Sequence, residues 1–97
     1  MIRSFSDLTT EHLFYAEDTR QARAIPKDLW PIARRKMNYL HAAVNVIDLR
    51  VPPGNRLERL KGTMVGRYSI RVNDQYRITF RFEDGHAWEV RCEDYHS

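Results

Sequence analysis

Between residues 67 and 92 the chain alternates apolar and polar side chains with a period of two, and that pattern admits little but β-structure. Tyr68, Ile70 and Val72 interleave with Arg67, Ser69 and Arg71. Tyr76, Ile78, Phe80 and Phe82 interleave with Arg77, Thr79 and Arg81, and Trp88, Val90 and Cys92 with Glu89 and Arg91. Successive strand side chains point to opposite faces, so each run has one apolar and one polar face. Asn73-Asp74-Gln75 and Glu83-Asp84-Gly85 supply the turns, the second through an Asp-Gly pair that suits positive φ. The expected product is an antiparallel meander with one apolar side. Its other side displays Arg67, Arg71, Arg77 and Arg81 together.

Such a sheet needs a cover for its apolar face. Leu29, Ala33, Met37, Leu40 and Val44 recur at spacings of four and three, which places them on one helical stripe. Pro31 is tolerated only in a first turn, so this helix is expected to start near Asp28, a candidate N-cap, and to run to about Val46. A shorter helix is expected from Leu8 through Phe14, capped by Ser6 or Asp7 and ending near Glu17-Asp18. Ile2 to Phe5 reads as a short strand, the Pro52-Pro53-Gly54 region as a loop, and residues 56–61 as one more strand. The expected fold class is α/β in the α+β sense, with two N-terminal helices packed on one face of a small antiparallel sheet. A chain of 97 residues fits one domain over 1–97 and buries roughly 60–65% of its unfolded surface, enough for a core without staples.

The charge is informative by position. The whole chain carries 16 Lys+Arg against 13 Asp+Glu, or +3. Residues 50–81 hold eight basic side chains against Glu58 and Asp74 alone, or +6, and seven of the eight are arginine. A local excess of this kind is an electrostatic footprint for a polyanion, and the guanidinium fork matches phosphate oxygens. A solvated basic face is the plain alternative. Arg67, Arg71, Arg77 and Arg81 on adjacent strands repel one another across the ladder, and the two strands carry no interleaved acid, which favours an anionic ligand. No apolar run approaches the ~20 residues of a membrane span, and the first residues lack a signal-peptide apolar segment. The single Cys92 excludes an internal disulfide and fits a reducing cytoplasmic location. Cys92, His86 and His96 match no zinc spacing, so neither a metal nor another cofactor is expected.

Three ordered motifs carry a resemblance. They are Pro52-Pro53-Gly54-Asn55-Arg56-Leu57-Glu58-Arg59-Leu60-Lys61-Gly62, then Gly66 through Phe80, and a terminal Glu93-Asp94-Tyr95-His96. With the opening Met1 to Phe5, they make the chain similar to the HigB family of toxins, within the RelE superfamily of bacterial toxin–antitoxin systems. The resemblance implies a RelE-like fold whose open sheet face is catalytic. It implies a ribosome-dependent endoribonuclease that cuts translated mRNA in the A site. It also implies a HigA-like helix-turn-helix antitoxin as partner, with operator DNA bound only through the complex.

Metal-free RNA scission needs a base for the substrate's 2′-hydroxyl, cations for the phosphorane-like state and an acid for the departing 5′-oxygen. Arg77 is the expected phosphate stabiliser, from its place on the open face and its match to a family arginine. Lys61 matches a family lysine and would act as a point charge at a strand end. Arg67, Arg71 and Arg81 are expected to hold RNA backbone, and Arg56 to do either. Tyr95 can stack on a base or donate a proton, His96 can be acid or base near neutrality, and Asp94 can orient either. Several family members carry a catalytic histidine in the strand where Glu58 lies. Glu58 can replace it as the base, or simply pair with Arg56 or Lys61, which is the plainer reading. The alternative function is a catalytically weak homologue that acts through ribosome binding or antitoxin-assisted operator regulation.

Overall fold

Cross-strand pairing, more than any single residue, sets the architecture. In the computed structural model, which describes residues 1–62 and 66–95, the meander comprises β2 (Arg67–Arg71), β3 (Tyr76–Glu83) and β4 (His86–Asp94). A two-residue strand, β1 (Glu58–Arg59), extends it, giving the antiparallel order β1-β2-β3-β4. Ile70 lies opposite Ile78 and Tyr68 opposite Phe80, so the apolar faces coincide as the alternation requires. Asp84 and Gly85 take φ of 52° and 79°, the paired left-handed geometry of a tight hairpin. Asn73 Oδ1 accepts from the backbone N–H groups of Gln75 and Tyr76 at 2.9 and 2.7 Å, which closes the other turn.

Two helices cover the apolar face, α1 (Leu8–Phe14) and α2 (Trp30–Ala42). Leu13, Met37 and Leu40 are fully buried with Ile70, Ile78, Phe80 and Val90, and they form one core. Asp7 caps α1, its Oδ1 accepting from Thr10 N–H at 2.8 Å. The expected short N-terminal strand appears as two parallel bridges along β4, Ile2 with Ala87 and Phe5 with Val90.

Several boundaries depart from expectation. The first helix stops at Phe14 because Ala16 turns left-handed (φ 60°) and Glu17 N–H reaches back to His12 O at 2.9 Å. Residues Lys27–Leu29 form a 3₁₀ turn, so α2 begins at Trp30 with Pro31 in its first turn and no side-chain cap from Asp28. It ends at Ala42 because Asp48 Oδ2 accepts from the Val44 and Asn45 N–H groups, which starts the next 3₁₀ turn, Val46–Arg50. Val44 thereby leaves the stripe and is 69% exposed. The strand expected over 56–61 shrinks to Glu58–Arg59, since Arg56 adopts left-handed angles (φ 45°, ψ 57°) and Gly62 has φ 67°. Trp88 was expected on the apolar face. A bulge between Thr79 and Arg81, where Glu89 has φ 53°, puts Trp88 opposite Arg81 on the polar face instead.

Lys36 is buried on α2, and its Nζ donates to Asn55 Oδ1 at 2.6 Å. Asn55, also fully buried, donates through Nδ2 to Leu49 O and Val51 O, which ties the helix to the 3₁₀ turn Pro53–Asn55. Burial lowers the lysine's pKa below its ordinary 10.5, and Arg35 and Arg71 push the same way. The folded state therefore binds fewer protons than the unfolded one on the alkaline side of neutrality, and stability there rises with pH. The stability of the native chain relative to Lys36→Met is expected to grow between pH 7 and the ordinary lysine pKa. Urea unfolding across that window checks it, and a pH-independent difference would refute it. Asp7→Ala is expected to cost about 1 kcal/mol through loss of the cap, a Tm fall of roughly 4–8 °C for a domain of this size by calorimetry.

Candidate active site

The strand register assembles the polar face row by row. Arg67 lies opposite Arg81, Ser69 opposite Thr79 and Arg71 opposite Arg77, while β1 brings Glu58 against Ser69 and β4 brings Glu93 against Arg77. The last row lies beside the Asn73–Gln75 turn. Tyr95, just past β4, is fixed there by its backbone N–H donating to Gln75 O at 2.8 Å.

Arg77 is the best-held side chain of this face, 12% exposed. Its Nε donates to Ser69 Oγ at 2.8 Å, and its Nη2 donates to Arg56 O at 2.6 Å and Ser69 O at 3.3 Å. The left-handed turn at Arg56 is what aims that carbonyl at the guanidinium. Nη1 remains 3.9 Å from Glu58 Oε1, an ion pair too long for a hydrogen bond. Burial works against the Arg77 charge, while Glu58 and then Tyr95 work for it.

A hollow of about 310 Å³ opens in front of this group, lined by Arg56, Glu58, Arg71, Asn73, Asp74, Arg77 and Tyr95. Three cations face two carboxylates there. Arg71 donates to Asp74 at 2.5 Å, whereas Glu58 is 56% exposed with its oxygens toward the hollow's cations. The site thus combines a fixed guanidinium with spare donor capacity, a carboxylate and a phenol. Glu58 faces Arg77 rather than Arg56 or Lys61, the partners expected from sequence.

Other expected residues lie apart. Arg67 and Arg81 form the row at the opposite end of β2 and β3. Lys61 is exposed beyond β1, toward that same end. Asp94 sits one residue along β4 from Glu93. Its carboxylate accepts from Gln75 Nε2 at 2.9 Å and lines a different hollow with Asp7, Thr9 and Cys92. His96 lies outside the described residues. Burial pushes the Cys92 thiol up to about 12, which leaves it inert.

The repulsion expected among the four arginines is relieved by acids that sit off the alternating runs of β2 and β3. Arg67 pairs with Glu89 at 3.5 Å, Arg71 with Asp74, Arg77 with Glu58 and Arg81 with Glu83. These partners come from a bulge, a turn, a neighbouring strand and a strand end. Inspection of the interior of β2 and β3 alone does not find them. Ser69 and Asn73 were also missed as parts of the site. The only signal for them was position, one on the arginine side of β2 and one in the turn next to Arg71.

A family model described as HigB-like, the RelE-like toxin of type II toxin–antitoxin systems, matches residues 3–96. The chain is 44% identical over 87 residues to Toxin HigB-1 of Vibrio cholerae, covering 90% of each chain. It is 46% identical over 41 residues to Endoribonuclease HigB of Proteus vulgaris, covering 42% of this chain and 45% of that one. Among solved structures, a YoeB-YefM complex from Staphylococcus aureus matches with a TM-score of 0.54 at 18% identity, covering 100% and 99% of the two chains. The YoeB/ParE toxin from Agrobacterium tumefaciens matches with a TM-score of 0.53 at 16% identity, covering 97% and 99%. At such identities the structural likeness is one of fold, the expected α+β arrangement of two helices on an antiparallel sheet. By the family match over nearly its whole length, and by its likeness to the Vibrio toxin, the chain belongs to the HigB-like family of type II toxin–antitoxin toxins.

Proposed function

We propose that this toxin is a metal-independent endoribonuclease that cuts translated mRNA in the ribosomal A site. The observation that carries the reading is Arg77, immobilised by three hydrogen bonds with Nη1 left toward a hollow that also holds Glu58 and Tyr95. Preorganised donors of this kind act where charge develops in the transition state. Glu58 takes the 2′-hydroxyl proton, and the 2′-oxygen attacks the neighbouring phosphorus. The bond from phosphorus to the 5′-oxygen then breaks, leaving a cyclic phosphate. Tyr95 returns a proton to the departing oxygen, with His96, the next residue in the sequence, as the alternative donor. Asp94 steadies the tail through Gln75, and Arg56, Arg71 and Lys61 supply further positive charge for the backbone. The name of the Proteus relative supports the nuclease reading.

The family assignment supports an antitoxin partner of HigA-like helix-turn-helix type, with operator DNA bound only through the toxin–antitoxin complex. The basic open face supports a ribosomal RNA partner.

Expressed without antitoxin, the chain is expected to arrest growth and to leave A-site cuts that primer extension detects. Arg77→Ala is expected to lower cleavage 10²- to 10³-fold, the usual effect of one lost transition-state donor. Message left intact by the native toxin on translating ribosomes would sink the proposal. Glu58→Gln is expected to lower single-turnover cleavage about 10²- to 10⁴-fold while ribosome binding stays unchanged. A variant as fast as the native toxin would reduce Glu58 to a counterion of Arg77.

A further inference from the structure

The left-handed residue Glu89 costs the strand its regular alternation, and what it accomplishes is to move a tryptophan from the core side to the open face. Without the bulge, Trp88 would share the buried side with Val90 and Cys92, which are 0% and 3% exposed. With it, Trp88 stands opposite Arg81, which stands opposite Arg67, so that one row crosses three strands. Arg67 holds the bulge in place, donating through Nη2 to Glu89 O at 3.0 Å. The Arg81 guanidinium lies 5.6 Å from the centroid of the Trp88 ring, a cation–π contact. The ring is half-buried. An aromatic ring in contact with one guanidinium, with a second that reaches the adjoining bulge and with both arginines only partly offset by Glu83 and Glu89, is the composition that holds a base and its phosphate in single-stranded nucleic acid. Arg81 is four residues along β3 from Arg77, about 13 Å at the rise of an extended strand.

We propose that Arg67, Arg81 and Trp88 form a second subsite, in which an unpaired RNA nucleotide stacks on Trp88 and places its phosphate on the arginines. The subsite rests on the reading of this face as the RNA face, and it lies beyond the reach of the nucleotide cut at Arg77. Its occupant is a neighbouring nucleotide of the message or an unpaired nucleotide of ribosomal RNA.

The chain has two tryptophans, so Trp30→Phe leaves Trp88 as the sole emitter. Trp30 is in the helical layer, its Nε1 donating to Ile25 O. Single-stranded hexa-adenylate RNA at low salt is expected to quench Trp88 emission, and quenching is expected to persist in Arg77→Ala. By anisotropy of the same dye-labelled RNA, Trp88→Leu is expected to weaken binding on the order of tenfold, with Trp88→Phe restoring most of it. Unchanged thermal unfolding of both variants excludes a folding defect. Quenching by empty ribosomes assigns the nucleotide to ribosomal RNA, and quenching only by message-loaded ribosomes assigns it to the message. Emission indifferent to RNA and ribosomes, or Trp88→Leu binding as tightly as the native chain, overturns the subsite. If cleavage persists in that case, the nuclease reading survives alone. Quenching without any cleavage on translating ribosomes would leave the subsite standing and remove the nuclease.

Discussion

The pairing register of β2 with β3 is the constraint on which the rest depends. Because strand side chains alternate with a period of two, a slip of one residue would exchange the faces of one strand relative to the other. Either Ile70 would meet water and Arg67 and Arg71 the helices, or Ile78 and Phe80 would meet water and Arg77 and Arg81 the helices. Neither exchange is tolerable, since stranded charges in a core cost far more than a hydrogen bond returns. The apolar set that seats the sheet under α2 is therefore the same device that lines up the cationic rows on the other side. Packing and function are specified by one pattern.

Within that frame Arg77 is unusual, because it is largely withdrawn from water yet its nearest carboxylate stands off at 3.9 Å. Its neutral partners, Ser69 and the Arg56 carbonyl, fix its direction without neutralising it. An arginine held by hydroxyl and carbonyl oxygens keeps its charge available. The Lys36–Asn55 tie matters for the same reason, since Asn55 immediately precedes the residue whose carbonyl receives Arg77.

Much of this was legible in the amino-acid order. The alternation located three strands, their common apolar face and the arginine rows. Asp-Gly marked the tight hairpin, Asp7 the first cap and Pro31 the first turn of α2. The motif from Pro52 to Gly62 pointed to Arg56 and Glu58 and, through the family, to Arg77 and the Tyr95 tail. The failures share a cause, for each is a place where a residue takes left-handed backbone or a local cap competes with a periodic pattern. Ala16, Arg56 and Glu89 carry no glycine signal, so the shortened helix, the shortened β1 and the reversed Trp88 could not be read from composition. The counterions of Arg67 and Arg77 were hidden because contacts between strands depend on register, which periodicity within one strand does not supply, and those of Arg71 and Arg81 because they lie in a turn and at a strand end, past the alternating runs.

The N-terminal segment lies in parallel along β4, with Ile2 at Ala87 and Phe5 at Val90. As the nascent polypeptide emerges, those first residues have no neighbour to join until the eighties have been synthesised. Tyr95 follows immediately after. Closures so distant along the chain delay folding. The arrangement leaves the outer edge of β4 open until the two ends of the chain meet, so the N-terminal segment closes the sheet last.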